Sequence, residues 1–347
     1  MHFSQRTLYR MLPRRFKEEA LVRKLAAQLP AISGAPAAIV LNQASEPGRH
    51  RFQIDFQRIG NQLHVNLDRE LMGRDPHHFE IMWRRLPSFV RIMSRTAAGV
   101  TTAVANVSDG GDNIPNELAY ASNEIQSILV PDPGFMIPEY YAPYRTLAEN
   151  RPGQWAARRD TVLWRGDISG HGDTTTDQMD IDDPNLKQRV RMCLALRGLD
   201  DVDVKLLVPD RDRQHHATRE AMEAHGILGQ HLPPVRWIDV KFALDIDGSS
   251  TSWGNLYTRL LLGCCVLKVA SPGGFRQWFY DEFVPWTHFV PVAADLSDIL
   301  EKVEWCRDHD QACREIAAAG QEFALRRTRE SETVAVVQRI NEMLGPG

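Results

Sequence analysis

The sequence is poor in cysteine and contains no long apolar run, and these absences exclude several classes of protein. Its five cysteines form no C-x-x-C pair, which argues against a disulfide framework and a zinc site and favours a reducing compartment. No apolar stretch approaches the roughly 20 residues of a membrane-spanning helix, and the first residues lack the apolar core of a signal peptide. The formal net charge of −4 offers no general attraction for nucleic acid. We therefore expect a cytoplasmic protein that does not bind nucleic acid.

One local charge imbalance lies at the N-terminus. Residues 1–24 carry seven arginines and lysines against two glutamates, and Leu8, Met11, Leu12 and Phe16 recur among them at near-helical spacing. A basic amphipathic helix can rest on an anionic membrane surface, so this segment offers peripheral contact with the inner membrane surface. A solvated helix packed on the first domain has the same pattern, and we favour it over membrane contact.

The N-terminal half mixes strands and helices. Its patterns predict a β-hairpin over 52–67, a helix over 79–93 and a buried strand over 100–107. Four prolines between residues 131 and 143 predict a stretch without regular structure, where we place the connection between two domains. Two domains are also what a length of 347 residues suggests.

The second half alternates strands with helices, which is typical of βαβ units around a parallel sheet. Helical patterns lie at 187–197 and 216–225, and further helices are predicted after Asp295. The predicted strands are 161–164, 204–208, 241–246, 266–270 and 288–292. The pattern predicts an α/β protein. Its domains are assigned as 1–140, 141–325 and 326–347, the last a helix that returns to the first domain.

Ligands of an open parallel sheet bind beyond the carboxyl ends of its strands, so polar loops directly after strands are the candidate sites. The first such loop follows Trp164 and reads Arg165-Gly166-Asp167. An arginine fork suits a diphosphate, and glycine lets backbone N–H groups approach phosphate oxygens. The same residues also fit an ordinary strand-to-loop turn.

The second candidate loop follows Asp245 and reads Asp247-Gly248-Ser249-Ser250-Thr251-Ser252, with a helix predicted from about Asn255. Small hydroxyl residues at a helix N-terminus form an anion site, because the free N–H groups and the helix dipole point outward. Asp245 and Asp247 also form a D-x-D triplet, the pattern by which many transferases hold a metal ion under a diphosphate. We regard the metal role as the minor alternative, because such triplets are common by chance and Asp245 belongs to the strand body.

The third candidate is Asp109, which follows the predicted strand 100–107 in the N-terminal half. A carboxylate at that position can serve as a general base for a hydroxyl group. An aspartate before two glycines is equally typical of a simple turn. The residue pattern leaves both interpretations open.

The C-terminal half resembles a known family. The blocks that carry the resemblance are DIDGSSTSWGNLYTRLLLGCCVLK, QWFYDEFVPWTHFVPVAADLSDILEKVEW and AAAGQEFALRRT. They are similar to glycosyltransferase family 90, which includes animal protein O-glucosyltransferases, fungal capsule-associated xylosyltransferases and bacterial lipopolysaccharide-modifying transferases. Trp164-Arg165-Gly166 matches the aromatic-Arg-Gly nucleotide loop of the family, and Asn106-Val107-Ser108-Asp109 matches its N-x-x-D element.

The resemblance implies a GT-B architecture, in which two Rossmann-like lobes face a central cleft. It implies an inverting, metal-independent transfer of a hexose or pentose from a UDP-sugar, with Asp109 as the general base and no cofactor. The bacterial branch is the most similar, so the expected acceptor is a lipopolysaccharide core or a related surface glycan or glycolipid. The implied donor-binding residues are Trp164, Arg165, Gly166, Asp167, Asp247, Gly248, Ser249, Ser250, Thr251, Ser252, Asn255, Arg259 and Lys268.

One departure from the family affects the donor site. Asn255 stands where the animal enzymes carry an arginine that grips the diphosphate, and Arg259 or Lys268 would have to compensate. Two alternatives follow from the residues: a metal-dependent transferase that uses Asp245 and Asp247, and a catalytically silent protein that binds a nucleotide or glycan. A protein acceptor, as in the animal enzymes, is a third variation on the main hypothesis.

Overall fold

The computed structural model describes residues 16, 19, 20, 23, 27, 37–42, 52–60, 62–68, 76–111, 113–136, 138–150, 155–176, 179–210 and 213–346. Most of the basic segment 1–24 lies outside the described residues, and its described positions are helical. The chain divides into two compact units, one formed by Met1–Met136 with Arg329–Gly347 and the other by Ile137–Thr328. Among the described residues, no helix combines the length and the hydropathy needed to cross a membrane.

The first unit contains a mixed six-stranded sheet. Its elements before residue 137 are β1 (Ala37–Asn42), β2 (Gln53–Ile59), β3 (Gln62–Asp68), α1 (Pro76–Ser94), β4 (Thr102–Asn106), β5 (Leu118–Ala119), β6 (Ile128–Leu129) and α2 (Pro133–Met136). The strand order is β1-β3-β2-β4-β5-β6, and β2 runs antiparallel to both of its neighbours. The predicted hairpin is confirmed as β2 and β3, joined at Gly60 with a φ of +58°. The sheet therefore differs from an all-parallel Rossmann sheet at this hairpin.

The prediction of an irregular stretch over 131–143 is wrong, because two helices occupy it. Pro133 begins α2, and Pro138 begins the first helix of the second unit. Proline at the first position of a helix removes an N–H group that would have no helical partner. Pro143 lies within that second helix, which continues to Asn150.

The second unit contains a five-stranded, all-parallel sheet, so the predicted α/β class and the predicted strands are confirmed. Its elements are α3 (Pro138–Asn150), β7 (Arg159–Asp167), α4 (Gln188–Leu196), β8 (Val202–Leu207), α5 (Arg213–Ala224), β9 (Val240–Asp245), α6 (Gly254–Leu261), β10 (Cys265–Val269), β11 (Val290–Val292), α7 (Ile299–Asp308) and α8 (Asp310–Leu325). The strand order is β8-β7-β9-β10-β11, so the first and third strands of this unit are neighbours. That order is the 2-1-3-4-5 arrangement of doubly wound sheets, in which ligands bind where the winding reverses.

Helix α9 (Arg329–Leu344) ends the chain and belongs to the first unit, where it packs on α1 and β6. The side-chain oxygen of Asn341 accepts a hydrogen bond of 2.8 Å from the backbone N–H of Ala97. Arg95 and Glu330 form an ion pair of 3.0 Å.

Candidate functional site

A cavity of about 650 Å³ lies at the carboxyl ends of the strands of the second unit. Its walls come from the loops after β7, β9, β10 and β11, together with the start of α4. The lining residues are 169–173, 184–186, 188, 189, 191, 247–250, 271–273, 275, 294 and 295. The reversal of winding falls between β7 and β9, so the cavity occupies the place where doubly wound sheets bind their ligands.

The loop after β9 forms one wall of the cavity and brings four of the predicted donor-binding residues to it: Asp247, Gly248, Ser249 and Ser250. The hydroxyl group of Ser250 is buried and has no hydrogen-bond partner among the described residues. A buried polar group without a partner costs free energy, so an unpartnered hydroxyl just behind a cavity wall suits a polar ligand that can reach it when the side chain rotates. Thr251 and Ser252 are also buried but do not line the cavity, and α6 begins at Gly254 directly behind them.

Gly248 lies where the two loops approach each other at the reversal point. A Cβ atom at this position would lie 2.6 Å from the Ser169 hydroxyl oxygen, which belongs to the loop after β7, and 3.1 Å from an Arg189 guanidinium nitrogen. A side chain here would displace the two groups that connect the loops after β7 and β9. The glycine that the sequence suggested for phosphate approach therefore also fixes the shape of the cavity wall.

Arg189, at the start of α4, connects the two loops and was missed by the sequence analysis. Its guanidinium donates to the Asp167 carboxylate at 2.6 Å, to the Asp167 carbonyl at 3.0 Å and to the Ser169 hydroxyl at 2.9 Å. It also donates to the carbonyls of Asp247 and Ile246, at 2.9 and 3.2 Å. Its side chain is 8% exposed, and burial lowers its pKa although nearby carboxylates act in the opposite direction. The sequence feature that could have pointed to Arg189 is its position as a charged residue on the apolar stripe of α4.

Arg165 lies elsewhere, and its contacts correct the expectation that it faces a ligand. Its guanidinium forms a two-pronged ion pair with the Asp203 carboxylate, with distances of 2.7 and 2.8 Å. It also donates to the carbonyl of Gln230, and it does not line the cavity. The guanidinium thus joins β7 to β8, because its five donors are directed at protein acceptors.

The roles of Trp164 and Gly166 are likewise explained by packing inside the protein. Trp164 is buried in the core of the unit, and the Arg189 guanidinium lies 5.6 Å from its ring centroid. A Cβ atom on Gly166 would overlap the Trp164 ring, so the glycine is needed for packing of the tryptophan. This explanation replaces the phosphate approach that the sequence suggested for Gly166.

Asp245, Asp247 and Lys268 form a buried charge cluster beneath the cavity wall. The Lys268 ammonium lies 3.1 Å from an Asp245 carboxylate oxygen and 3.3 Å from an Asp247 carboxylate oxygen. Burial raises the pKa of Asp247, and the Asp245 charge adds to that effect while Lys268 opposes it. Burial disfavours the charged form of Lys268, but Tyr280 and the two carboxylates outweigh it and raise its pKa well above the ordinary value.

Asn255 and Arg259, one of the two residues predicted to compensate for it, do not line the cavity. Asn255 is exposed, and its carbonyl accepts a hydrogen bond of 2.8 Å from the guanidinium of Arg259. Arg259 is buried with its guanidinium 4.4 Å from the centroid of the Trp237 ring. Burial lowers the pKa of Arg259, and the Asp245 charge opposes that effect. Arg259 therefore belongs to the buried charges below the site.

Asp109 belongs to the first unit and lies in the loop after β4. Its side chain is 58% exposed, and one carboxylate oxygen accepts a hydrogen bond of 2.5 Å from Arg85. The same guanidinium donates to the carbonyl of Val107 at 2.8 Å, so Arg85 holds both the end of the strand and the carboxylate. At Gly110 φ is +107°, and a Cβ atom there would lie 2.9 Å from the Ala121 carbonyl oxygen. The Asp-Gly step is therefore a tight turn that presents an accessible, oriented carboxylate.

A buried polar network supports this turn. Asn106 donates to the Glu117 carboxylate at 3.1 Å and to the Gly111 carbonyl at 3.0 Å, and its oxygen accepts the Ser108 N–H at 2.9 Å. Glu117 is completely buried, and burial raises its pKa to about 7 despite hydrogen bonds from Asn106 and Gln53. The asparagine of the N-x-x-D element thus fixes the turn that carries Asp109.

Three cysteines lie close together in the core of the second unit, although no C-x-x-C spacing in the sequence predicts such a group. The sulfur atoms of Cys265, Cys306 and Cys313 lie within 4.8 Å of one another. Thiolates of this kind can ligate a soft metal ion. All three belong to the apolar core, surrounded by residues such as Ile316 and Val303, and we interpret them as core residues.

The curated relatives of the chain are much longer than their matching regions. The chain is 36% identical over 100 residues to protein O-glucosyltransferase 2 of Danio rerio, which is 29% of this chain and 19% of that protein. It is 26% identical over 239 residues to the uncharacterized protein 027R of Frog virus 3, which is 62% of this chain and 24% of that protein. The chain thus spans less than a quarter of the length of these relatives.

The solved structure of Anabaena HepE in complex with UDP-glucose matches with a TM-score of 0.33 and 13% identity. The match covers 58% of this chain and 52% of that chain. The model of glycosyl transferase family 90 matches residues 142–335, which include the whole cavity and its charge cluster. The chain belongs to glycosyl transferase family 90.

Proposed function

We propose that this protein is an inverting, metal-independent glycosyltransferase that moves a sugar from a UDP-sugar to a hydroxyl group of a glycan. The observation that carries the proposal is the cavity at the reversal point of the parallel sheet, with Ser250, whose buried hydroxyl has no partner among the described residues, in its wall. Membership of family 90 supports the reaction class. The relatives named protein O-glucosyltransferase make UDP-glucose the first donor to test.

In the proposed donor complex, the diphosphate binds the loop after β9. The backbone N–H groups near Gly248 and the Ser250 hydroxyl donate to phosphate oxygens, and the N-terminus of α6 adds the positive end of its dipole. Arg189 contributes by holding this loop against the loop after β7, since its guanidinium reaches both. Preorganised donors of this kind stabilise the negative charge that develops on the departing UDP.

Metal independence is supported by the surroundings of the D-x-D carboxylates. A metal under the diphosphate would need Asp245 and Asp247 as ligands, and Lys268 already lies within 3.3 Å of an oxygen of each. A positive charge is thus present at the position where a divalent ion would bind. This arrangement disfavours the metal-dependent alternative.

Asp109 is the proposed general base. Its carboxylate takes the proton from the acceptor hydroxyl while that oxygen attacks the anomeric carbon on the face opposite UDP, so the new glycosidic bond forms as the bond to UDP breaks. Arg85 orients the carboxylate and leaves it more than half exposed. Asp109 and the cavity belong to different units, so the mechanism requires the two-lobed GT-B arrangement that the family resemblance implies.

The proposal also covers the acceptor and the place in the cell where the protein acts. We infer a lipopolysaccharide core or a related surface glycan as acceptor, and action in the cytoplasm. Peripheral contact with the membrane through the basic segment 1–24 is the less favoured alternative to a helix packed on the first domain. A protein acceptor is suggested by the relatives named protein O-glucosyltransferase and is the main variation. Incubation with each acceptor class and a labelled donor separates them.

A catalytically silent nucleotide-binding protein is the second candidate function. Two observations favour it: Asn255 stands in place of the family arginine, and the carboxylate of Asp109 is tied to Arg85. Such a protein would bind UDP and leave every sugar donor intact.

The deciding experiment is calorimetry with UDP and UDP-glucose, followed by detection of UDP release from a panel of UDP-hexoses and UDP-pentoses in the presence and absence of EDTA. Binding together with EDTA-resistant release of UDP is expected. Binding without release for any donor would favour the silent protein, and release that needs Mn²⁺ would favour the metal-dependent transferase. Absence of UDP binding would overturn the donor site itself.

A further inference from the structure

A buried ammonium ion lies between the two carboxylates of the D-x-D triplet. Lys268 stands beside Asp245 in the ladder between β10 and β9, and its side chain reaches carboxylate oxygens of Asp245 at 3.1 Å and Asp247 at 3.3 Å. All three residues are at most 6% exposed. The Tyr280 ring lies 5.4 Å from the ammonium nitrogen and closes the site on another side.

The buried carboxylates near this ammonium ion already have enough positive charge around them. They are Asp245 and Asp247, and the buried cations that interact with one or both are Arg189, Arg259 and Lys268. Two negative groups and three positive groups leave no excess negative charge, so a divalent ion added to the intact cluster would bring uncompensated positive charge into the interior. Burial of unpaired charge is strongly unfavourable.

Asp247 connects this cluster to the cavity. Its carboxylate contacts Lys268, whereas its carbonyl accepts a hydrogen bond from Arg189 and its neighbours Gly248, Ser249 and Ser250 line the cavity. The position of the loop after β9 therefore depends on which cation holds the carboxylate of Asp247. In a metal-dependent site, a divalent ion with oxygen ligands would hold that carboxylate.

We propose that Lys268 is the built-in cation of this site, which holds Asp245 and Asp247 together and positions the loop after β9 as a divalent metal ion does elsewhere. Removal of the ammonium group then leaves the two buried carboxylates without the cation that lies between them and turns the cluster into a metal site. The two freed carboxylates supply hard oxygen ligands, and water from the adjacent cavity supplies the others. The inference rests on the proposed function only for the identity of the ligand that the loop receives.

The test compares the wild type with Lys268→Met, which keeps the length and apolar body of the side chain without its charge. Thermal unfolding is recorded with and without MnCl₂, and Mn²⁺ binding is followed by loss of the free-ion EPR signal. Lys268→Met is expected to unfold at a lower temperature than the wild type and to bind Mn²⁺. A metal held at 100 times its Kd raises the Tm by roughly 5–10 °C for a unit of this size.

Two control variants make the result specific. Lys268→Met/Asp247→Asn lacks one of the two carboxylates and is expected to lose the Mn²⁺ response. Lys302→Met removes another ammonium group that contacts two carboxylates, those of Asp298 at 3.2 Å and Glu301 at 2.9 Å, but at the surface. Since those carboxylates are hydrated, Lys302→Met is expected to respond to Mn²⁺ no more than the wild type.

The outcomes separate the inference from the proposed function. Equal Mn²⁺ effects on Lys268→Met and its Asp247→Asn double variant, or no Mn²⁺ binding by either, would overturn the role of Lys268. Should Lys268→Met be insoluble, refolding is carried out with and without Mn²⁺: recovery only with Mn²⁺ supports the inference, and failure under both conditions contradicts it. UDP binding by the wild type is measured in parallel, and its absence would overturn the proposed function without changing the Mn²⁺ results.

Discussion

The loop after β4 and the loop after β9 carry the two chemical halves of the proposed reaction, and they are stabilised in opposite ways. The loop after β9 rests on buried charges that balance one another, with Lys268 between two carboxylates and Arg189 on several carbonyls. The loop after β4 carries one exposed carboxylate above a buried network that contains Glu117, which titrates near neutral pH. The comparison indicates that paired charges hold the loop after β9 in place before the donor binds. In the loop after β4, by contrast, Asp109 is accessible to solvent and the network beneath it depends on pH.

The largest expected effect comes from removing the base. Asp109→Asn is expected to reduce kcat for transfer by about 10²–10⁴-fold, since an amide cannot accept the acceptor proton. UDP affinity measured by calorimetry should stay within twofold, because Asp109 belongs to the other unit and is not part of the cavity wall. Transfer within threefold of the wild type would show that the base lies elsewhere.

The charge-paired loop is tested by Arg189→Met. Removal of a buried guanidinium that contacts Asp167 and the Asp247 carbonyl is expected to lower the free energy of unfolding by about 3–5 kcal/mol and to weaken UDP binding at least tenfold. Denaturant unfolding and calorimetry measure the two effects. Arg191→Met, on the same helix and only partly buried, is the matched control for stability alone, because Arg191 also lines the cavity; a loss of about 1 kcal/mol is expected. Equal losses of stability for both variants would contradict the special role of Arg189.

The pH-sensitive support is tested by Glu117→Gln. The folded-state pKa of Glu117, about 7, is above its value in the unfolded chain, so its contribution to stability is full below about pH 4.5 and is lost as the pH rises towards 7. Because Glu117 is buried, the wild type should lose about 3 kcal/mol of stability over that range from this group. Glu117→Gln should remove this part of the pH dependence. Identical Tm-against-pH curves for the two proteins would show that Glu117 titrates normally.

The smallest effect is expected from Ser250→Ala. The hydroxyl has no partner among the residues that the structure describes, so its removal should leave the Tm unchanged or slightly higher. In the donor complex its removal should weaken UDP binding by roughly fivefold, the value of one hydrogen bond of about 1 kcal/mol. Ser252→Ala is the matched control, because that hydroxyl is also buried and without a partner in the described part of the chain, but Ser252 does not line the cavity. A similar loss of UDP affinity in both variants would remove Ser250 from the proposed phosphate contacts.

The secondary structure of the second unit could be predicted closely from the sequence. Apolar runs such as Phe242 to Leu244 are buried on both sides of a parallel sheet, and they are separated by helices with clear periodicity. The prediction around Pro133 and Pro138 was wrong, because proline breaks a helix interior but is favoured at the first turn of a helix. Sequence spacing alone does not separate these two positions.

The candidate site was predictable only in part. The Gly248 and Ser250 loop was found because polar residues after a buried strand mark the carboxyl edge of a sheet. Arg165 was misread, since the type of side chain does not reveal that Asp203 of the next strand already binds it. Arg189 was missed because it follows β7 by more than 20 residues and reaches the site only through the packing of α4.

The sequence by itself determined the α/β class, the order of the strands along the chain and the loops that end at the carboxyl edge, because these follow from local periodicity and turn chemistry. Tertiary structure decided which charges meet. Lys268 lies between Asp245 and Asp247 because β10 runs beside β9 in one particular register, and Arg189 connects two loops because β7 and β9 are neighbours in the sheet. Interactions between charges fall off over a few ångströms, so the pairing of strands in space determines the partners of each charged side chain.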